Sequence, residues 1–127
     1  MKKRNVHTLI YGNLEKLTGG LEKFMASKGY LKLTSNGFMP LVIEKIGNNK
    51  ISMTHYYKLN GDLVPDPDIT VRIYPDQKMA EALSYQDTYK YQEVYPEENK
   101  VSLILKKELN TFLNQWLLVL KKQGFYS

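Results

Sequence analysis

The feature that most constrains the fold is a long apolar stripe near the end of the chain. Between residues 102 and 123, large apolar side chains recur at spacings of three and four, as on one face of an amphipathic helix. They are Leu105, Leu109, Phe112, Leu113, Trp116, Leu117 and Leu120. Lys121 and Lys122 in the last turn suit the helix dipole, and Gly124 ends the pattern. Such a helix needs an apolar surface to pack against.

The middle of the chain supplies that surface as strands. Apolar residues alternate with polar ones over residues 50–58 and 69–74, so Ile51 and Met53, and likewise Val71 and Ile73, share one face. Turn signals at 47–49 and 60–62 separate these segments. Because the connections are too short for parallel crossovers, we expect antiparallel pairing.

The predicted fold is therefore of the α+β class. It combines an antiparallel meander sheet of about four to six strands with a long C-terminal helix on one face. The N-terminal segment also carries helical spacing, interrupted by Gly19 and Gly20. The expected organisation is a single domain over 1–127, helical at 5–28, a sheet over 30–95 and a helix at 102–123.

Bulk composition narrows the class of protein. The chain has 127 residues, a formal charge of +5, a pI of 9.3 and no cysteine, so disulfides and thiolate metal sites are excluded. No apolar run reaches the roughly 20 residues that span a bilayer, and no secretion signal follows the basic N-terminus. These observations predict a soluble cytoplasmic protein without a membrane partner. The positive charge favours solubility and leaves nucleic acid as an alternative partner.

An acidic segment is the first candidate site. Asp62, Asp66 and Asp68 fall in what reads as a rigid loop over 60–68, because Pro65 and Pro67 resist regular pairing. Carboxylates in one loop can gather a hard cation such as Mg²⁺. Ordinary turn chemistry explains the same residues and is favoured, so no metal ligand is assigned.

His55 is the second candidate. It shares a strand face with Ile51 and Met53, which favours a hydrogen-bonded, semi-buried histidine. The functional alternative is general acid/base chemistry beside the aspartates, which requires the two to meet in space.

Tyrosine is the third candidate feature, since the chain contains ten. Tyr89, Tyr91 and Tyr95 are predicted to share one face of a strand over 88–95. Tyrosine suits interfaces because it buries a ring while its hydroxyl stays hydrated, and it stacks on bases where cations are near. The predicted binding surface joins the tyrosines, the acidic segment and one arginine: Tyr56, Asp62, Asp66, Asp68, Arg72, Tyr74, Tyr89, Tyr91 and Tyr95.

Sequence signatures of catalysis are missing. The chain has no phosphate-binding glycine loop, no G-x-S-x-G and no H-E-x-x-H. We therefore assign no catalytic residue and predict no cofactor.

Four segments carry a resemblance to a known family. Residues 55–68, residues 91–95 and the stretches 105–110 and 112–116 resemble a family of small uncharacterised proteins encoded on conjugative elements and plasmids of Gram-positive bacteria. The resemblance covers roughly 29–125. It implies a small accessory protein of a mobile genetic element, such as an anti-restriction or anti-CRISPR protein, and it supplies no catalytic residues.

The leading hypothesis is a non-enzymatic binding or inhibitor module that occupies a host protein or nucleoprotein, such as a defence nuclease. One alternative is a metal-dependent nuclease or other hydrolase that uses the aspartates with His55. Another is a nucleic-acid-binding protein that uses the tyrosine-bearing sheet face.

Overall fold

The chain folds as a helical layer on a single sheet. The computed structural model describes residues 5–126, and their side chains except those at 58, 59, 63 and 65. The elements in chain order are α1 (Val6–Thr18), α2 (Leu21–Ala26), β1 (Tyr30–Leu33), β2 (Leu41–Gly47), β3 (Lys50–Leu59), β4 (Asp62–Tyr74), β5 (Met79–Gln86), β6 (Tyr91–Glu93) and α3 (Leu103–Lys122).

The N-terminal helices end where the sequence places its breaks. Asn5 caps α1, since its side chain accepts a hydrogen bond of 2.8 Å from the His7 amide. Gly19 closes α1 in the left-handed conformation, with φ of 76°, which glycine adopts without steric cost. The short α2 follows directly. The predicted helical region at 5–28 thus consists of two helices divided by the glycine pair.

The sheet is a six-stranded antiparallel meander in the order β1-β2-β3-β4-β5-β6. The turn between β2 and β3 uses Asn49, and the turn between β3 and β4 uses Asn60 and Gly61, all with positive φ. The α+β prediction is confirmed, and the strand number lies at the top of the expected range.

The core lies between the helices and one face of the sheet. α1 and α3 pack against each other and against β5. The alternating strand positions that face them are buried, as are the apolar residues of α3 at Leu109, Leu113, Trp116, Leu117 and Leu120. Five of the seven residues of the predicted stripe therefore face the core, while Leu105 is partly buried and Phe112 is 37% exposed. The opposite face of the sheet, called the open face below, carries Lys50, Thr70 and Arg72 in alternation with the buried residues of β3 and β4.

The prediction of a loop over residues 60–68 is wrong, because residues 62–68 belong to β4. Thr54 pairs with Asp68 and Tyr56 with Pro65, so β4 holds one more residue than β3 across this step. The register shift is a β-bulge, which lets a strand contain a proline that cannot donate a ladder hydrogen bond. Asp66 and Asp68 consequently lie within the sheet, and only Asp62 lies beside a turn.

The predicted strand over 88–95 is shorter than expected. Residues 87–90 form a turn because the Asp87 carboxylate accepts hydrogen bonds from the amides of Tyr89 and Lys90, at 2.8 and 2.9 Å. β6 begins only at Tyr91.

Over residues 5–126, no helix is long and apolar enough to cross a membrane.

Candidate functional site

The open face carries a cleft walled by tyrosine rings. It spans β3, β4, β5 and β6 and the residues after β6, and it encloses about 560 Å³. Tyr74, Tyr91 and Tyr95 line it, and 56% of Tyr91 and 42% of Tyr95 is exposed. We call this the tyrosine cleft. Its volume lies within the range of about 300–1,000 Å³ that is typical of small-ligand pockets.

The floor of the tyrosine cleft is polar and charged. Lys50 and Arg72 lie on it, with the hydroxyl groups of Thr70 and Ser84 and the carboxylate of Glu93. The Arg72 guanidinium stands 5.7 Å from the centre of the Tyr74 ring, which is a cation–π contact. Two cations therefore face one lining carboxylate, which favours a ligand with negative charge.

A buried carboxylate holds two of the tyrosines in place. Glu81 on β5 is only 4% exposed. It accepts hydrogen bonds from the hydroxyls of Tyr74 at 2.9 Å and Tyr95 at 2.5 Å. Lys106 at the start of α3 completes the cluster, with its Nζ 3.3 Å from Glu81 Oε2. A buried charge is tolerated when it is paired and hydrogen-bonded in this way. The cluster joins β4, β5, α3 and the segment after β6 at one end of the cleft.

Protonation keeps these groups in their hydrogen-bonding forms. Burial first, and then the hydrogen bond to Glu81, raise the pKa of both Tyr74 and Tyr95 above the ordinary tyrosine value. Burial opposes the charge of Lys106, yet the Glu81 carboxylate and the Tyr95 hydroxyl outweigh it and raise the pKa of the ammonium group. At neutral pH the tyrosines are therefore neutral donors and Lys106 is a cation.

The Tyr85 hydroxyl predicts an alkaline limit to stability. Burial, the hydrogen bond of 2.7 Å to Asp87 and the charges of Asp87 and Asp66 raise its pKa to about 12. The tyrosine of an unfolded chain titrates at about pH 10. Between that pH and about pH 12, the folded chain therefore keeps a proton on Tyr85 that the unfolded chain has lost. Its contribution to the free energy of unfolding should be intact below about pH 10 and lost as the pH rises toward about 12.

Urea denaturation across that pH range tests this expectation. Tyr85→Phe should make the alkaline decline shallower, while Tyr89→Phe, at a side chain that is 92% exposed, should leave it unchanged. Identical declines in both variants and in the parent chain would show that Tyr85 is not responsible. Part of the alkaline decline in the free energy of unfolding should remain in Tyr85→Phe, because other tyrosines also have raised pKa values.

The other predicted site residues are dispersed. Tyr56 lines a second, more apolar cleft on the open face, of about 890 Å³, with Tyr30, Met39 and Pro40. Asp68 lies on β4, where it accepts a hydrogen bond of 3.2 Å from Thr54 Oγ1. Asp62 and Tyr89 lie in or next to turns and line neither cleft.

His55 packs as the favoured interpretation expects. Its ring lies 5.4 Å from that of Trp116 and 5.6 Å from that of Phe125, and its Nδ1 is 3.2 Å from the Pro40 carbonyl oxygen. It shares a small pocket of about 230 Å³ with Asp66. In the described part of the chain, no three or more His, Asp or Glu side chains come close enough to hold a metal ion.

Sequence reasoning did not identify Lys50, Glu81 and Lys106 as parts of the site. The pairing of β3 with β4 places Lys50 directly opposite Arg72, a signal that the register would have given. The contact between Glu81 and Lys106 joins β5 to α3 across the fold, and no local spacing predicts it.

The comparisons with known proteins give the family but no activity. The model of a family described as "Domain of unknown function (DUF6908)" matches residues 9–126. No curated protein and no solved structure matches the chain. The expectation of an uncharacterised family is confirmed to this extent. Since the match covers most of its length, the chain belongs to the DUF6908 family of domains of unknown function.

Proposed function

We propose that this chain is a non-catalytic binding module that engages its partner through the tyrosine cleft on the open face. The observation that carries the proposal is the location of the cleft. The helices cover the other face of the sheet, while partly exposed rings and two cations lie on the open face. Tyrosine and arginine are the residue types enriched at binding hot spots.

The chemistry of the lining groups supports binding in preference to proton transfer. Hydrogen bonding to Glu93, burial and the Glu93 charge raise the pKa of Tyr91. Burial and the hydrogen bond to Glu81 likewise raise the pKa values of Tyr74 and Tyr95. A general base works best with a pKa near the working pH, and these hydroxyls titrate far above it. They serve as fixed hydrogen-bond donors and as flat apolar surfaces.

In its most concrete form, the proposal is an inhibitor encoded by a mobile genetic element that covers a site on a host defence nuclease. The support for this form is the resemblance of residues 55–68 and 91–95 to proteins of conjugative elements and plasmids. An inhibitor of this kind acts by occupying a surface and needs no catalytic residue of its own.

Site-directed photo-crosslinking tests the surface. A photo-reactive residue in place of Tyr91 should form a discrete adduct in a lysate of a Gram-positive bacterium. The same residue in place of Lys107, which is exposed on α3, should not. Adding Arg72→Glu should abolish the adduct at position 91, and circular dichroism should show that this variant is still folded. Equal adducts at positions 91 and 107, or an adduct insensitive to Arg72→Glu, would refute the proposed surface.

A further inference from the structure

Two like charges face each other on the floor of the tyrosine cleft. Lys50 and Arg72 are directly paired residues of β3 and β4, so their side chains leave the same face of the sheet. Like charges in this position destabilise a sheet. Glu81 is the directly paired residue of Arg72 on β5, but its carboxylate is bound by Lys106, Tyr74 and Tyr95. Among residues 5–126, neither Lys50 nor Arg72 forms an ion pair with an acidic side chain. An anion bound between them would remove the repulsion and gain a bond to each.

The groups around the two cations define what else the ligand contains. Thr70 and Ser84 place hydroxyl donors on the same floor, and such donors and cations together suit phosphate oxygens. The rings of Tyr74, Tyr91 and Tyr95 wall the cleft beside them. A ligand that uses both parts needs a phosphate joined to a planar, hydrophobic ring.

Glu93 adds an acceptor at the β6 side of the cleft. The Tyr91 hydroxyl donates a hydrogen bond of 2.5 Å to its Oε1, and both side chains are exposed. The second carboxylate oxygen can accept from a sugar hydroxyl or from the amino group of a base. Its charge also disfavours a second phosphate nearby, so the cleft suits one phosphate and one base.

We propose that the tyrosine cleft binds a nucleotide, with its phosphate between Lys50 and Arg72 and its base against the tyrosine rings. This inference rests on the proposed function in taking the tyrosine cleft as the binding surface, and it names a nucleotide, instead of a protein surface, as the group bound there. The nucleotide is either free or part of a single strand, and both present the same phosphate and base. Stacking on tyrosine tolerates different bases, so recognition is weakly dependent on sequence.

Equilibrium binding measurements at low salt distinguish a free nucleotide from a nucleotide within a single strand. The probes are AMP, inorganic phosphate, and fluorescein-labelled ten-nucleotide oligothymidylate and oligouridylate. AMP should bind at least about tenfold more tightly than inorganic phosphate, because base stacking adds to the phosphate contact. A strand that binds more tightly still, with affinity that falls as salt rises, places the nucleotide within a nucleic acid. Equal affinity for AMP and the strands assigns a free nucleotide.

Variants locate the binding site. Arg72→Glu and Tyr91→Ala should each weaken nucleotide binding about tenfold or more, since one removes a phosphate contact and the other a stacking ring. Lys107→Glu makes the same charge change on α3 and should reduce binding by less than about twofold. Melting curves confirm that the variants fold.

Two outcomes would overturn the inference: binding of AMP and both strands no tighter than that of inorganic phosphate, or an equal loss in Lys107→Glu and Arg72→Glu. If nucleotides fail to bind while position 91 still gives a specific crosslinked protein, the nucleotide inference falls and the binding-module proposal stands. If neither experiment succeeds, both fall.

Discussion

Truncating Leu113 to alanine is expected to lower the free energy of unfolding by about 3 kcal/mol. Leu113 lies on the buried face of α3 and is fully inaccessible to solvent, within the cluster that joins both long helices to the sheet. Removing most of a buried leucine side chain loses its transfer free energy and leaves a cavity that close-packed neighbours fill only in part. Urea denaturation followed by circular dichroism measures the loss.

Leu118→Ala is the matched control for this substitution. It makes the same chemical change on the same helix, but Leu118 is 45% exposed. Its cost should stay below about 0.5 kcal/mol, as for most surface changes. Similar losses in the two variants would contradict the packing of α3 against the sheet through its predicted stripe, and with it the assignment of an open face.

Local periodicity was sufficient to predict the architecture. The apolar spacing of α3 and the alternation in β3 and β4 fix which faces turn inward, and the Asn and Gly turns fix antiparallel neighbours. The helix layer and the meander follow from these patterns. Tyr74, Tyr91 and Tyr95 were also placed on a candidate surface from sequence, and they line one cleft.

Features that depend on register or on distant contacts escaped prediction. The prolines at 65 and 67 read as loop residues, yet a bulge opposite β3 accommodates them within β4. Asp87 organises a turn that shortens the last strand and moves Tyr89 away from the cleft. The pairing of Glu81 with Lys106 depends on how the start of α3 approaches the sheet edge.

Asn110 shows why a polar residue can be misplaced by pattern alone. As a polar residue outside the apolar stripe of α3, it is expected on the solvent side of the helix, yet it is only 1% exposed. Its Oδ1 accepts a hydrogen bond of 2.8 Å from the Ala82 amide, and its Nδ2 donates one to the Lys106 carbonyl. Beside Ala82 the register of β4 and β5 shifts, between Thr70 and Val71. The asparagine thus bonds a strand amide at an irregular point of the ladder, a role that only the tertiary structure reveals.

Asn110→Ala is expected to lower the free energy of unfolding by about 2 kcal/mol more than Asn114→Ala does. Both changes replace asparagine by alanine within α3, so the gain in helix propensity is the same and cancels in the comparison. Asn114 accepts a hydrogen bond of 3.1 Å from Asn13 and is only part-buried, so water can replace it there. Ala82 is fully buried, and its amide has no such substitute.

Hydrogen exchange at the Ala82 amide separates this cause from a general loss of packing. In the parent chain and in Asn114→Ala the amide should be protected about as well as its neighbours in β5. In Asn110→Ala its protection should fall by more than that of the adjacent amides, because an unbonded N–H in the sheet favours local opening. Equal stability losses in the two variants, or an Ala82 amide that stays protected without Asn110, would mean that the buried side chain does not hold this strand to the helix. Since β5 also carries Ser84, which lines the tyrosine cleft, and Glu81, which binds two of its tyrosines, that result would require another support for this strand of the cleft.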